Sequence, residues 1–144
     1  MIAGDICIRE TAIITPEETA LAAAQRMQEF NVGCLVVVEH RDEGNKPVGI
    51  ITDRDLALNV TAQDGQPSGI AVANVMSSSL FTVKETEKIY DILQKMRYHG
   101  IRRVPVVNHI GLLIGILTAD DILEVLHRQI SQIIGVIQKE QPSI

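Results

Sequence analysis

The sequence predicts an α/β fold (α+β in its layering) built from two tandem β-α-β-β-α repeats that pack as a pseudo-two-fold pair. The first observation behind this prediction is that the chain repeats itself. Residues 22–39 align without a gap with residues 91–108 at an offset of 69, and residues 48–58 align with residues 114–124 at an offset of 66. Self-similarity at a fixed offset indicates a repeated structural unit. Because the offset falls from 69 to 66 between the two alignments, the first copy has a loop, RDEGNKP, that is three residues longer.

The second observation is the pattern at the start of the first copy. A short strand at Ile13–Ile14 precedes TPEE, in which Thr15 is suited to cap a helix and Glu18 to complete a capping box. The helix is expected from residue 17 to about residue 30, because apolar residues between Ala20 and Met27 recur at three-and-four spacing.

The third observation is the pair of apolar runs that follows. The run CLVVVE, residues 34–39, is continuous and β-branched, as expected of a strand buried on both faces. A turn containing Gly44 and Asn45 leads to the strand PVGIIT, and a second helix is expected from residue 53 to about residue 60. Copy two repeats this order, with strands near residues 81–83, 104–108 and 112–117 and a longer final helix from residue 119 to about residue 138.

The predicted units are residues 1–60 and 73–144. They are joined by a linker at residues 61–72 that holds Gly, Pro, Ser and Asp. Copies of about 60 residues are marginally stable when they fold alone. Packing across their sheets would allow the two copies to share one core, and we therefore expect a pseudo-two-fold pair that acts as one unit.

The composition argues against several classes of function. With 46% hydrophobic and 22% charged residues, the chain is ordinary for a folded domain. A net charge of −5 and only 3% aromatic residues argue against nucleic acid as a partner. The longest apolar run, residues 110–117, is too short to span a membrane, and the N-terminus lacks the pattern of a signal peptide. A cytoplasmic location is therefore expected.

Catalysis is not expected. The sequence has no P-loop and no GxSxG, HExxH or GxGxxG motif, and no metal-ligand set or nucleophile with its base is evident. The four histidines are scattered and are expected at the surface or at caps: His40, His99, His109 and His127. Cys7 and Cys34 lack metal-binding spacing and are expected to be unpaired core thiols.

The stretch GIITDRD, residues 49–55, poses the main functional question. Thr52 and Asp55 are three residues apart at a predicted helix start, which is the spacing of a capping box. Such a cap stabilises by about 1 kcal/mol and requires no ligand. The same spacing recurs at Thr118 and Asp121 in copy two.

Three features favour a ligand site at these motifs. Both motifs follow an apolar strand, and the edge where strands of an α/β sheet end and helices begin is where ligands and anions bind. A carboxylate can accept hydrogen bonds from both hydroxyls of a ribose. Arg102 and Arg103 adjoin the second strand of copy two, and arginine is suited to phosphate, although solvation at the surface is the alternative.

These patterns resemble tandem cystathionine-β-synthase (CBS) domains, a Bateman module. The resemblance rests on HGIRRVPVVN with NVGCLVVVE and on GIITDRD with GILTADD, and it covers nearly the whole chain. It implies a stand-alone regulatory module whose clefts bind AMP, ADP, ATP or S-adenosylmethionine and which signals by conformational or dimer rearrangement. In such modules the motif Asp takes the ribose hydroxyls, and the Thr lies beside the ribose and phosphate.

The resemblance implies two candidate ligand sites, each with residues from both copies. The first comprises Thr15, Ala20, Val32, Gly33, Arg102, Arg103, Ile116, Thr118 and Asp121. The second comprises Lys84, Ile89, Ile101, Arg102, Ile50, Thr52, Arg54 and Asp55. We expect the first to bind nucleotide better, because copy two has Lys84-Glu85 where the family usually has Thr-Pro, and copy one has Gly33-Cys34 where copy two has the arginine pair. Arg54 could reach a phosphate or face water, and Asp53 and Asp120 are expected to complement the helix dipole.

The final helix has an apolar stripe wider than its own sheet requires, which favours a homodimer contact. The expected partners are an adenosyl small molecule, a second copy of the chain and an effector protein, with no catalytic cofactor, metal, nucleic acid or membrane. The competing hypothesis is a non-catalytic interaction module. In that case the clefts stay empty, and the Thr-x-x-Asp pairs serve only as caps.

Overall fold

The computed structural model describes residues 1–140, which form two three-stranded sheets with helices packed on them. The elements of copy one are α1 (Ala3–Ile6), β1 (Ile13–Ile14), α2 (Ala20–Phe30), β2 (Cys34–Arg41), β3 (Gly44–Thr52) and α3 (Asp53–Leu56), and a π-helical turn, Ala57–Thr61, continues α3. Two short 3-10 turns, Pro67–Gly69 and Val72–Asn74, lie in the connection. The elements of copy two are β4 (Val83–Lys84), α4 (Ile89–His99), β5 (Arg103–Val107), β6 (Leu113–Thr118) and α5 (Ala119–Lys139). The predicted second unit runs to residue 144, and its residues 141–144 lie outside the described residues.

The two sheets have the same topology, which confirms the predicted pair of α/β repeats. In each sheet the short first strand pairs in parallel with the middle strand, and the middle strand pairs antiparallel with the third. Both middle strands shift register at an equivalent place, between Val37 and Val38 and between Val106 and Val107. Within residues 1–140, no helix has the length and apolar character needed to cross a bilayer.

The start of the first long helix differs from the prediction. α2 begins at Ala20, and the Thr19 hydroxyl caps it by accepting from the Ala22 N–H at 3.1 Å. Thr15 and Glu18 close the preceding turn, because the Glu18 carboxylate accepts from the Thr15 N–H at 2.8 Å and the Glu18 N–H donates to the Thr15 carbonyl at 3.2 Å. Thr15 and Glu18 thus form the hydrogen bonds of the capping pattern in the turn that precedes the helix. The prediction of a helix from residue 17 is wrong.

Other boundaries shift by less. Arg41 pairs with Gly44, so the hairpin turn is at residues 42–43, and Gly44 and Asn45, predicted in the turn, belong to β3. The helix predicted at residues 53–60 is one α-helical turn that widens into a π-helical turn. The strands of copy two lie within two residues of their predicted bounds.

The buried apolar side chains form two clusters, one centred in each copy, and not one common core. The copies are joined because each contributes its leading segment to the other. Ala3 is buried in the cluster of copy two, whereas Val72 and Val75 are buried in the cluster of copy one. Neither core is complete without the other copy.

Main-chain hydrogen bonds fix these exchanged leading segments. Ile8 exchanges two hydrogen bonds with Ile116, at 2.9 and 3.0 Å, and Ser77 exchanges two with Ile50, at 2.9 and 3.1 Å. A Cβ on Gly115 would lie 2.7 Å from the Ile8 carbonyl oxygen, and one on Gly49 would lie 2.8 Å from the Ser77 carbonyl oxygen. The glycine that opens each Thr-x-x-Asp motif is therefore required by the close approach of another strand segment.

Candidate functional site

One cavity lies between the two copies at the end of β3. Its volume is about 380 Å³, and it is called the Thr52 cavity below. Copy one contributes Ile50 and Thr52, and copy two contributes Ile101, Arg102 and Arg103. The remaining lining residues are Ser77, Ser79, Leu80, Phe81 and Gly100. The structure therefore brings together four residues of the second candidate site, namely Ile50, Thr52, Ile101 and Arg102.

A larger cavity of about 640 Å³, called the Thr15 cavity below, is lined by copy one alone. It contains Thr15 and Val32 of the first candidate site. The other lining residues are Glu10, Thr11, Ala12, Ile13, Ile14, Glu18, Arg26, Phe30 and His40. By the repeat, residues 10, 11, 12 and 32 are equivalent to residues 79, 80, 81 and 101, so the two cavities share one equivalent wall. The equivalents of Ile50 and Thr52, which are Ile116 and Thr118, do not line the Thr15 cavity.

Several predicted site residues line neither cavity: Ala20, Gly33, Ile116, Thr118 and Asp121 of the first site, and Lys84, Ile89, Arg54 and Asp55 of the second. Ala20 and Ile89 are buried in the two cores. Arg54 is exposed on α3, as the alternative of a water-facing side chain anticipates. Ligand contacts by these residues remain predictions.

Thr52 and Asp55 form a complete capping box. The Asp55 carboxylate oxygen Oδ2 accepts from the Thr52 N–H at 2.9 Å, and the Thr52 hydroxyl accepts from the Asp55 N–H at 3.1 Å. The prediction that Thr52 and Asp55 form a capping box is therefore confirmed. The box uses one carboxylate oxygen, and a carboxylate has two, so a cap and a ligand contact are compatible.

Thr118 and Asp121 form only part of such a box. The Thr118 hydroxyl accepts from the Asp121 N–H at 3.1 Å and donates to Oδ2 of Asp121 at 2.7 Å. No backbone N–H from residues 1–140 donates to the Asp121 carboxylate, in contrast to Asp55. The same spacing thus produces two different hydrogen-bond patterns.

The two arginines are held differently. Nη2 of Arg102 donates to both carboxylate oxygens of Asp120, at 2.7 and 3.0 Å, and the two side chains are 73% and 71% exposed. An ion pair this exposed contributes little stability and is readily exchanged. Asp120, predicted to complement a helix dipole, is also the partner of Arg102.

Arg103 lies close to copy one, since its charge acts on the Cys34 thiol. Burial raises the pKa of this thiol, and the nearby Arg103 guanidinium partly opposes the rise. Cys34 and Arg103 are equivalent positions of the repeat, and equivalent residues lie close together only near the pseudo-two-fold axis. Arg103 therefore stands where the two copies meet.

Sequence reasoning missed the segment from Ser77 to Phe81, which forms one wall of the Thr52 cavity. These residues precede β4 and carry no motif. Their equivalents, residues 8–12, precede β1, and the offset of 69 relates the two segments. The repeat alignment was therefore the available signal, but only the packing places the segment beside β3.

The remaining chemistry-bearing side chains behave as surface groups. All four histidines are exposed, and Nδ1 of His40 lies 2.6 Å from the side-chain oxygen of Asn45. The two cysteines are unpaired, as predicted, but half-buried, whereas core positions were expected. No group of three or more His, Cys, Asp or Glu side chains suited to a metal ion occurs in the described part of the chain.

The wall of the Thr15 cavity contains an ion pair whose pH dependence can be tested. Arg26 donates to the Glu18 carboxylate at 2.8 Å and, with the hydrogen bonds from Thr15, holds the pKa of Glu18 below its usual value of 4.5. A carboxylate whose pKa is lowered in the folded state stabilises the fold at pH values above its unfolded-state pKa. That contribution is lost as the pH falls through its folded-state pKa.

We therefore expect Glu18→Gln to lower the melting temperature at pH 7 and to differ less from wild type below about pH 4. Because both side chains are about one-third exposed, the effect at pH 7 is on the order of 1 kcal/mol. Thermal unfolding between pH 3 and pH 8 measures it, with the exposed Glu17→Gln as control. A wild-type–variant difference that is constant over this range would contradict the assignment.

The fold and the cleft define a class of protein: a pair of α/β repeats, interlocked by exchanged segments, with a cavity between them at the end of the first motif strand. The family model of the CBS domain matches residues 3–61 and 72–128. This chain belongs to the CBS domain family and carries two such domains in tandem. CBS domains are generally regulatory, non-catalytic modules.

Known relatives are similar over most of this chain. The uncharacterized protein MK0525 of Methanopyrus kandleri is 38% identical over 122 residues, covering 85% of this chain and 61% of that protein. Hypoxic response protein 1 of Mycobacterium tuberculosis is 33% identical over 122 residues, covering 85% of this chain and 78% of that protein.

Two similar solved structures contain adenosyl compounds. The CBS domain pair of MJ0100, in complex with 5-methylthioadenosine and S-adenosyl-L-methionine, is 26% identical with a TM-score of 0.76, over 90% of this chain and 98% of that one. The CBS domain protein PAE2072 of Pyrobaculum aerophilum, complexed with AMP, is 26% identical with a TM-score of 0.75, over 84% of this chain and 89% of that one.

Proposed function

We propose that this chain is a regulatory module that binds an adenosyl ligand, either AMP, ADP, ATP or S-adenosylmethionine, in the cleft between its CBS domains. The observation that carries the proposal is the Thr52 cavity, where Ile50 and Thr52 of one copy face Ile101, Arg102 and Arg103 of the other. Apolar walls with a few convergent polar groups are typical of a small-molecule site. The ligands of MJ0100 and PAE2072 support the adenosyl class.

Each wall of this cavity suits a different part of such a ligand. The aliphatic side chains of Ile50 and Ile101 suit the faces of an adenine ring, and the guanidinium groups suit phosphate. The Thr52 hydroxyl lines the same cavity and suits a ribose hydroxyl. The sequence favours the site that ends in Asp121, but the position of both arginines favours the Thr52 cavity for a phosphorylated ligand.

The exchanged leading segments offer a route from ligand to signal. Ser77 lines the Thr52 cavity and also bonds through its main chain to Ile50, so a ligand there contacts the junction of the two copies. A ligand shifts the packing of the copies only by its differential affinity for the two arrangements.

A homodimer contact through α5 is part of the same proposal. Ile122 is buried on its own copy, while five large apolar side chains between residues 130 and 137 are exposed: Ile130, Ile133, Ile134, Val136 and Ile137. Exposed apolar surface of this extent is typical of an interaction site. Ligand-dependent repacking at the cleft would then be transmitted to a partner copy or to an effector protein.

A thermal-shift titration with AMP, ATP and S-adenosylmethionine tests the proposal. At about 100 times its dissociation constant, a ligand is expected to stabilise the fold by about 2.7 kcal/mol. Asp55→Ala is expected to weaken binding at the Thr52 cavity about tenfold, since a charged hydrogen bond contributes roughly 1.5–3 kcal/mol. Asp42→Ala, in the exposed hairpin turn, is the control.

The competing function is an interaction module with empty clefts, and the complete capping box at Thr52 is the observation that favours it. In that case Asp55→Ala lowers the melting temperature by loss of the cap alone. No adenosyl compound at millimolar concentration would then raise the melting temperature of wild type, and the proposal of ligand binding would be abandoned.

A further inference from the structure

The two cavities share one equivalent wall but differ in charge at equivalent positions of the repeat. Arg102 and Arg103 of copy two stand where copy one has Gly33 and Cys34, and Ser79 stands where copy one has Glu10. The change from Ser79 to Glu10 makes the lining of the Thr15 cavity more negative, and the residues equivalent to the two arginines, Gly33 and Cys34, do not line it. One wall is thus repeated in the two cavities, while their charge is not.

The Thr52 cavity has cations available for an anion. Two guanidinium groups and the hydroxyls of Ser77 and Ser79 line it, and no acidic side chain from residues 1–140 does. Arg103 has no hydrogen-bonded acid among residues 1–140, and the exposed pair between Arg102 and Asp120 is weak enough to be exchanged for phosphate. A phosphate group would therefore meet donors without first having to break a strong interaction.

The Thr15 cavity has the opposite character. The carboxylates of Glu10 and Glu18 line it, and its one guanidinium, Arg26, is already committed to Glu18 at 2.8 Å and to the Ile13 carbonyl at 3.0 Å. His40 also lines it and is bonded to Asn45. A phosphate placed there would face Glu10 with no uncommitted arginine, and like charges at short range in a partly desolvated site repel strongly.

We infer that the two cavities select ligands by charge: the Thr52 cavity takes adenosyl compounds that carry phosphate, and the Thr15 cavity excludes them. This inference rests on the proposed function and adds the ligand class to it. It also predicts that S-adenosylmethionine, with its positive sulfonium, is disfavoured beside Arg103. Each protein chain, with its two repeats, would accordingly bind one nucleotide and not two.

Calorimetric titration with AMP and with adenosine tests the inference, because the two compounds differ only in the phosphate. We expect one AMP per chain and an AMP affinity at least about tenfold above that of adenosine. Arg103→Gln should weaken AMP about tenfold and leave adenosine unchanged. Arg128→Gln, an exposed change on α5 that lines neither cavity, should affect neither ligand.

Ionic strength provides a second measurement on the unaltered protein. Raising the NaCl concentration from about 50 mM to about 500 mM should weaken AMP several-fold and adenosine hardly at all, since screening acts on the charged ligand. Two AMP molecules bound with equal affinity, equal affinities for AMP and adenosine, or an Arg103→Gln variant that weakens both alike would overturn the inference while leaving adenosyl binding intact. Absence of binding by AMP, ATP, adenosine and S-adenosylmethionine together would overturn the proposed function as well.

Discussion

Replacing Gly115 by alanine is expected to destabilise the protein by about 2 kcal/mol, the typical cost of forcing atoms into a packed site. The added Cβ would lie 2.7 Å from the Ile8 carbonyl oxygen and 3.0 Å from Sγ of Cys7. To relieve this overlap, the exchanged segment has to move away from β6 and weaken the two hydrogen bonds between Ile8 and Ile116. For a chain of this size the melting temperature should fall by about 4–8 °C.

Gly69→Ala is the matched control for this prediction. Gly69 lies in the 3-10 turn Pro67–Gly69, and a Cβ there has no neighbouring atom within 4 Å. The variant adds the same methyl group without overlap and restricts the unfolded chain, so it should be at least as stable as wild type. Hydrogen exchange of the Ile8 amide should accelerate in Gly115→Ala only. If the two variants change stability equally, the leading segment is not held against Gly115.

Replacing Ile51 by alanine is expected to cost about 3 kcal/mol, within the usual range for truncating a buried isoleucine. Ile51 is 0% exposed and belongs to the core of copy one. Its neighbour Ile50 points to the opposite face of β3, because successive side chains of a strand alternate, and it lines the Thr52 cavity. Ile50→Ala should therefore cost about 1 kcal/mol or less in stability but weaken nucleotide binding.

Urea unfolding and calorimetric titration of both variants separate the two faces of this strand. Ile51→Ala should lose stability while any folded fraction binds nucleotide as wild type does. Ile50→Ala should keep most of its stability and bind nucleotide more weakly than wild type. Comparable losses of stability in the two variants would mean that Ile50 is a core residue and that the cavity assignment is wrong.

The repeat made most of the fold predictable. Because equivalent residues recur at a constant offset, the alternation of strands and helices in one copy could be checked against the other, and both sheets follow the expected order. Element boundaries were less predictable where two short-range patterns compete. Thr15 and Glu18 match a helix cap by spacing, yet they close a turn, and Thr19 caps the helix instead.

The candidate site was predictable in type and only partly in position. Spacing identified Thr52 with Asp55 and Thr118 with Asp121 as helix starts, but it did not reveal that the first pair forms a complete box and the second does not. The hydrogen bond between the Thr118 hydroxyl and the Asp121 carboxylate depends on side-chain orientation, which is set by packing. Arg102 and Arg103 were assigned mainly to the first site, whereas they line the cavity at Thr52.

By itself, the sequence determined that this chain consists of two similar α/β units with paired helix-start motifs, because local periodicity and offset are properties of the linear order of residues. Only the tertiary structure decided that Ala3 completes the core of the second unit and Val72 that of the first. It also decided which cleft receives the two guanidinium groups. These features depend on which segments meet in space. The joint burial of apolar surface from both copies determines those contacts, and no single stretch of sequence encodes it.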